Sequence, residues 1–255
     1  MSVPAISVVV PTYQRPQLLE RALRSIGEAT TATHEIIVID DSPDGSGFEP
    51  ARRYGAKYVF KAGKQRGSSA SRNIGLKLAT GEFLAFLDDD DFFNPGGLDA
   101  LLQAAQNGAG AGDRIVFGDH SNFTSELRTR VVLAGLTLDH LLVCNRIVMG
   151  SFLLRRSSLE GGFDLRMRSH EDWEFILRHA QSQTLHHVPL DIVCVDKTAN
   201  TTTSTEARRR PMFWLDFLSV YSCYPAIHLA DLRSQMLATL GLAISKEMLE
   251  FEDRI

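Results

Sequence analysis

Up to about residue 120, short β-branched runs alternate with stretches whose apolar residues recur every three or four positions. That alternation predicts strand–helix–strand units and a largely parallel sheet. Ile6 to Val10 is unbroken, as expected of a strand covered on both faces. Pro16 then opens a helix, with Leu19, Ala22, Leu23 and Ile26 at i, i+3, i+4 and i+7. A second strand, Glu35 to Ile39, runs into the turn sequence Asp40-Asp41-Ser42-Pro43-Asp44-Gly45, and Lys57 to Phe60 is a third. Ser69 to Ala79 reads as a helix closed by Gly81, and Glu82 to Leu87 as a fourth strand that stops at four aspartates. A helix over Pro95 to Asn107, a glycine-rich loop from Gly108 to Gly112 and a strand from Ile115 to Gly118 complete the regular part.

The pattern beyond is looser. It predicts an edge strand at Thr129 to Leu133, an apolar run at Ile147 to Leu154 and a helix from Glu171 to Ala180. Lys197 to Glu206 is polar, threonine-rich and without period, so it reads as a mobile loop of the kind that serves as a lid. From Ala207 to Ile255 the chain reads as helical with a break at Pro225. Its stripe of Leu229, Leu232, Met236, Leu240 and Ile244 is expected to pack on the protein's own core or to form a homodimer. Membrane-surface docking is the weaker reading, because the last helix carries more acids than bases, and Arg208-Arg209-Arg210 is best taken as a solvated turn.

Composition narrows the class. With 255 residues, 44% hydrophobic and 23% charged, the chain is neither disordered, collagenous nor coiled coil. Its 27 basic and 31 acidic residues leave a net charge of −4, which argues against a nucleic-acid partner. Cys144, Cys194 and Cys223 are scattered and odd in number, as expected of buried thiols in a reducing compartment. No signal-peptide pattern opens the chain, and Met212 to Leu229 is interrupted by Asp216 and Pro225, so no transmembrane span is expected. A cytoplasmic protein is expected, with peripheral contact at the inner membrane face left open.

Two predicted strands end in acids, Asp40-Asp41 and Asp88 to Asp91, at the edge where open α/β sheets bind ligands. Four adjacent carboxylates repel one another unless a cation neutralises them, and hard oxygen ligands suit Mg²⁺ or Mn²⁺. The plain alternative is a solvated loop whose acids cap the next helix. A calcium loop fails, with Phe93 where glycine is needed and Asp99 in place of a bidentate Glu. A dinucleotide fingerprint and a P-loop are both missing after the first strand, which reads Pro11-Thr12-Tyr13-Gln14-Arg15.

An ordered series of motifs gives these acids a context: Ser7 to Tyr13 with Arg15-Pro16; Glu35 to Ser42; Ser71-Arg72-Asn73-Ile74-Gly75; Gly81 to Asp91 with Pro95; Gly161 to Asp164; and Glu171-Asp172. Over residues 1 to about 195 the chain resembles the family 2 inverting glycosyltransferases, which have the GT-A nucleotide-sugar-binding fold. The resemblance implies an α/β protein with a Rossmann-like mixed, mainly parallel sheet flanked by helices. Residues 1–206 would form the glycosyltransferase domain, 1–118 its nucleotide-binding half and 119–206 its acceptor-side half, with 207–255 a C-terminal helical extension.

Carried over by position, the resemblance puts Pro11, Tyr13 and Asp41 at the nucleobase of a nucleoside diphosphate sugar. Asp88 and Asp90 become metal ligands and Asp89 a neighbour of the ribose, with a register uncertain by one because all four residues are aspartate. Arg72 would lie beneath the nucleotide, and Lys64 or Arg66 would reach the diphosphate. Asp172 looks like the general base. Ser169-x-x-Asp172 also fits a helix capping box, and Trp173, Ile176, Leu177 and Ala180 would be the buried face of that helix. His170, His186 and His187 are expected at the surface or a strand edge and not as ligands. The implied function is metal-dependent inverting transfer from a nucleoside diphosphate sugar, UDP-linked foremost, to a glycan, glycolipid or small-molecule hydroxyl in polysaccharide or glycolipid assembly. The competing reading is a catalytically silent nucleotide-sugar-binding or scaffolding module.

Overall fold

The computed structural model describes residues 3–61, 67–107, 114–198 and 211–249. Nine strands form one mixed sheet: β1 (Ile6–Thr12), β2 (His34–Asp40), β3 (Lys57–Phe60), β4 (Phe83–Phe86), β5 (Phe92–Phe93), β6 (Arg114–Phe123), β7 (Arg128–Val131), β8 (Phe152–Arg155) and β9 (Thr184–Asp196). They lie in the order β3-β2-β1-β4-β8-β6-β9-β5, with β7 on the outer part of β6. The first four are parallel, β8 runs antiparallel between β4 and β6, and β9 returns parallel to β6. This is the mixed, mainly parallel sheet that the sequence predicts.

Helices cover both faces: α1 (Pro16–Ala29), α2 (Phe48–Arg53), α3 (Ser68–Leu78), α4 (Gly97–Gln106), α5 (Leu138–Val143), α6 (Glu171–Ala180), α7 (Pro211–Cys223), α8 (Ala230–Leu240) and α9 (Lys246–Leu249). Because strand side chains alternate between faces, β1 feeds two cores. Ile6, Val8 and Val10 meet Leu19, Leu23 and Ile26 of α1 and Leu98 and Leu101 of α4 on one side. Val9 points the other way, into a core shared with Phe86, Phe117, Trp173, Phe175, Phe217 and Tyr221.

The C-terminal helices belong to that second core. Tyr221 donates its hydroxyl to the Val143 carbonyl at 2.7 Å, and Arg233 stacks on the Tyr221 ring at 4.1 Å while donating to the Leu142 and Tyr224 carbonyls. The apolar stripe packs on the protein's own core as expected except at Leu232, which is exposed: Leu229 is buried, and Met236, Leu240 and Ile244 are half-buried against the core. The inward face of α8 also holds Ala230, Leu237 and Arg233, whose guanidinium serves backbone carbonyls, and the helix ends at Gly241 with φ +101°. Cys194 is buried as expected, whereas Cys144 is half-buried and Cys223 exposed. The expected lid from Lys197 to Glu206 lies, after Thr198, outside the described residues, as do the glycine-rich loop, Lys64, Arg66 and the triplet Arg208 to Arg210.

Gly75 allows α3 to lie directly on β1: a Cβ there would stand 2.2 Å from Val9 Cγ1. Gly75→Ala should therefore cost about 1–3 kcal/mol, read as a lower denaturant midpoint with the slope unchanged.

Candidate active site

The acids sit where the carboxyl ends of β1, β2 and β4 open into a cleft. After β1 the chain turns sharply through Gln14, at φ +54°, whose amide donates to Ser42 Oγ at 2.7 Å. The turn leaves the Tyr13 ring 47% exposed at the rim, with Pro11 partly buried behind it. Asp40 is fully buried and accepts from the Ser42 and Gly47 amides and the Tyr58 hydroxyl, so it shapes the turn after β2. Asp41, next along, accepts from the Gly67 amide at 2.9 Å and faces Lys61 Nζ at 3.1 Å.

The four aspartates after β4 diverge. Asp88 is the most open, its side chain 35% exposed and in contact with Arg72 Nη2 at 2.6 Å. Asp89 turns back towards β1 and accepts from Thr12 Oγ1 at 2.8 Å and the Tyr13 amide at 3.3 Å. Asp90 meets Arg15 Nη1 at 2.7 Å. Asp91 is directed inward and accepts the Asp196 amide at 3.0 Å. Burial, and then the neighbouring carboxylates, push Asp90 and Asp91 upward; burial also pushes Asp89 up to about 6, against the Thr12 bond. Among the described residues no three His, Cys, Asp or Glu side chains converge as a closed metal cage. Asp88 and Asp90, each now bonded to an arginine, are the carboxylates that could hold an ion in the open arrangement typical of Mg²⁺ and Mn²⁺, where one or two carboxylates share it with substrate phosphates.

Across the cleft, α6 presents Glu171 and Asp172. Arg72, fully enclosed on α3, spans the gap: Nη2 on Asp88, Nη1 on Glu171 at 3.0 Å, and the guanidinium carbon 5.4 Å from the Phe163 ring centre. Burial pushes Glu171 upward, but Arg72 and the Ser68 hydroxyl at 2.6 Å more than offset it and hold the carboxyl low. Asp172 goes the other way. Burial and the charge of Glu171 raise it to about 6, although it accepts from the Trp173 amide at 2.8 Å and Asn145 Nδ2 at 3.0 Å.

The family model described as glycosyl transferase family 2 matches residues 7–163. The chain belongs to glycosyl transferase family 2. Such proteins are enzymes that transfer glycosyl groups. The uncharacterized glycosyltransferase YwdF of Bacillus subtilis is 29% identical over 224 residues, covering 84% of this chain and 82% of that one. A GalNAc(5)-diNAcBac-PP-undecaprenol beta-1,3-glucosyltransferase of Campylobacter jejuni is 37% identical over 110 residues, covering 41% of this chain and 36% of its own length. In structure, Staphylococcus aureus TarS 1–349 in complex with UDP-GlcNAc superposes with a TM-score of 0.66 at 17% identity, covering 97% of this chain and 87% of TarS 1–349. The mannosyltransferase PcManGT of Pyrobaculum calidifontis, in complex with GDP-Man and Mn²⁺, gives 0.60 at 18% identity, covering 98% of this chain and 79% of that one. The fold of this family 2 enzyme is thus of the GT-A type.

In the family 2 cleft, Asp88, Asp90, Arg72 and Asp172 come together, while Pro11, Tyr13 and Asp41 line its β1–β2 side. The capping box does not form. His170, at φ +59°, is the residue before α6, and Ser169 donates instead to Asp216 of α7; Asp172 satisfies the Trp173 amide itself. Trp173, Ile176, Leu177 and Ala180 are buried as expected. His170 is half-buried among aromatic rings, and His187 contacts Asp119 at 2.7 Å. Two contributors carry no local sequence signal: Asn145 donates to Asp172, and Asp216 accepts from the Arg168 and Ser169 amides, each pair far apart in the chain. Thr12 and Arg15 are different, since the first motif holds both.

A carboxyl raised on folding makes the native state bind protons more tightly than the unfolded chain. Its stabilising contribution is complete below the ordinary carboxylate range and is lost as pH rises through about 6. Asp172→Asn should accordingly melt above the parent at pH 7.5, and its advantage should shrink at pH 5, as thermal unfolding at both pH values will show.

Proposed function

We propose that this family 2 enzyme is an inverting glycosyltransferase that uses a nucleoside diphosphate sugar, a UDP-sugar foremost, and transfers the sugar to an acceptor hydroxyl with Asp172 as general base. The observation that carries the reading is the placing of Asp172 across one cleft from Asp88 and Asp90, with Arg72 spanning the two sides. A base near 6 is ionised at neutral pH yet basic enough to accept a hydroxyl proton as the oxygen attacks. Glu171, locked to Arg72 and Ser68, stays ionised, and its charge keeps Asp172 basic. Tyr13 offers a ring for stacking on the base of the nucleotide and Asp41 an acceptor for its imide N–H.

Asp88 and Asp90 would hold Mn²⁺ or Mg²⁺. A divalent ion there supplies Lewis-acid charge that offsets the negative charge of a diphosphate leaving group. PcManGT with GDP-Man and Mn²⁺ and TarS with UDP-GlcNAc support the combination of a sugar nucleotide with this fold. One displacement by a base-activated hydroxyl inverts the anomeric centre. The undecaprenol-linked acceptor in the name of the Campylobacter relative makes glycolipids and glycans the first acceptors to try. Among the described residues no helix is long and apolar enough to cross a membrane, so membrane contact for such an acceptor would be peripheral.

A panel of nucleotide sugars, with and without Mn²⁺, identifies the donor by metal-dependent hydrolysis. With that donor, Asp172→Asn should lose turnover by about 10²-fold or more while UDP binds within about twofold of the parent by calorimetry. Asp90→Ala should remove the Mn²⁺-dependent part of UDP binding. Near-normal turnover of Asp172→Asn, or UDP binding indifferent to Mn²⁺ in the parent, overturns the corresponding assignment.

A further inference from the structure

The segment that delivers Asp172 is held by α7, and both lie beyond residues 7–163 that the family model matches. Arg168 and Ser169 immediately precede the left-handed His170, and both of their amides donate to one oxygen of Asp216, at 2.8 and 2.9 Å. The Ser169 hydroxyl donates to the same oxygen at 3.1 Å. Asp216 is 6% exposed and belongs to α7, beyond the residues that the family model covers. From the same helix Phe213 and Phe217 pack edge-on against the His170 ring, at 4.4 and 5.1 Å, and Phe217 against Trp173 at 4.9 Å. Three hydrogen bonds to one carboxylate oxygen, next to a non-glycine residue in the left-handed region, over-determine a turn that would not hold its shape alone.

We propose that Asp216 is a positioning residue: through it α7 fixes the 168–170 turn and so aims the first turn of α6, with Glu171 and Asp172, into the cleft. The inference rests on Asp172 acting as the base. Helix α7 is then part of the transfer machinery, and the chain without it carries an unaimed base.

The test uses the full chain as Asp216→Ala and Asp216→Asn, the latter keeping an acceptor oxygen in the same place. Hydrolysis of the UDP-sugar cleaved fastest in the donor panel gives kcat and KM, calorimetry gives UDP affinity, and amide hydrogen exchange reports residues 167–174. For Asp216→Ala we expect kcat to fall about 10- to 100-fold with KM and UDP affinity within twofold of the parent. Exchange at 168–173 should rise about tenfold or more while the interior of α6 stays protected, and Asp216→Asn should restore most of both. Unchanged kcat per folded molecule, even with a lower Tm, overturns the proposal and leaves Asp216 a fold-stabilising residue. Unchanged exchange at 168–173 overturns it as well, as does a loss of UDP affinity parallel to kcat. Asp172→Asn in the same assays separates the two readings: if it turns over normally the base assignment falls, while the exchange data still decide whether Asp216 holds the turn.

Discussion

Everything in the cleft depends on one enclosed guanidinium. Arg72 is sealed between a strand end that carries four aspartates and a helix that begins with two acids, and it touches one acid on each side. Taking such a charge out of water is tolerable only with partners in place, and removing one partner of a buried pair costs about 3–5 kcal/mol. The arginine and its acids therefore fix each other's positions. Because guanidinium does not deprotonate in proteins, the bridge holds at every pH at which the enzyme could act. It also explains why the two carboxylates of α6 differ: Glu171 is bonded to the arginine and stays ionised, while Asp172 feels the charge of Glu171 more than that of Arg72.

The cleft also concentrates departures from local preference. Gln14 and His170, the two non-glycine residues with positive φ among the described residues, flank it from opposite sides. Each such residue costs about 1–3 kcal/mol and persists only where its surroundings hold it. Ser42 holds the first, and Asp216 with the rings of α7 the second. The mild acidity of the whole chain is similarly local: it is gathered into carboxylates raised by burial first and by their neighbours second, and those are the groups best served by added positive charge.

Much of the first 118 residues is legible in sequence. The Ile6 to Val10 run and the 19, 22, 23, 26 spacing of α1 are core patterns with one physical solution, and both appear as read. The aspartate run announced a site but not its assignment, because four identical residues carry no register; only the pairing of each with Thr12, Arg15, Arg72 or Asp196 separates them. The chain beyond residue 118 is harder. β9 mixes histidines, proline and aspartate into its outer half and reads as a strand only once β6 is beside it. The Ser169 capping box was a sound local inference overridden by Asp216, 47 residues on. In α8 an arginine joins the inward face by feeding its N–H groups to buried carbonyls, which no hydrophobic pattern reveals.

The short strand β5 joins Phe92 and Phe93 to Cys194 and Val193, and Asp91 just before it receives the Asp196 amide. The aspartate loop is therefore finished by a segment made much later in the chain. The Asp196 amide, 105 residues on, opposes the burial that raises Asp91, so the charge of the aspartate loop is set in part by the last strand of the sheet.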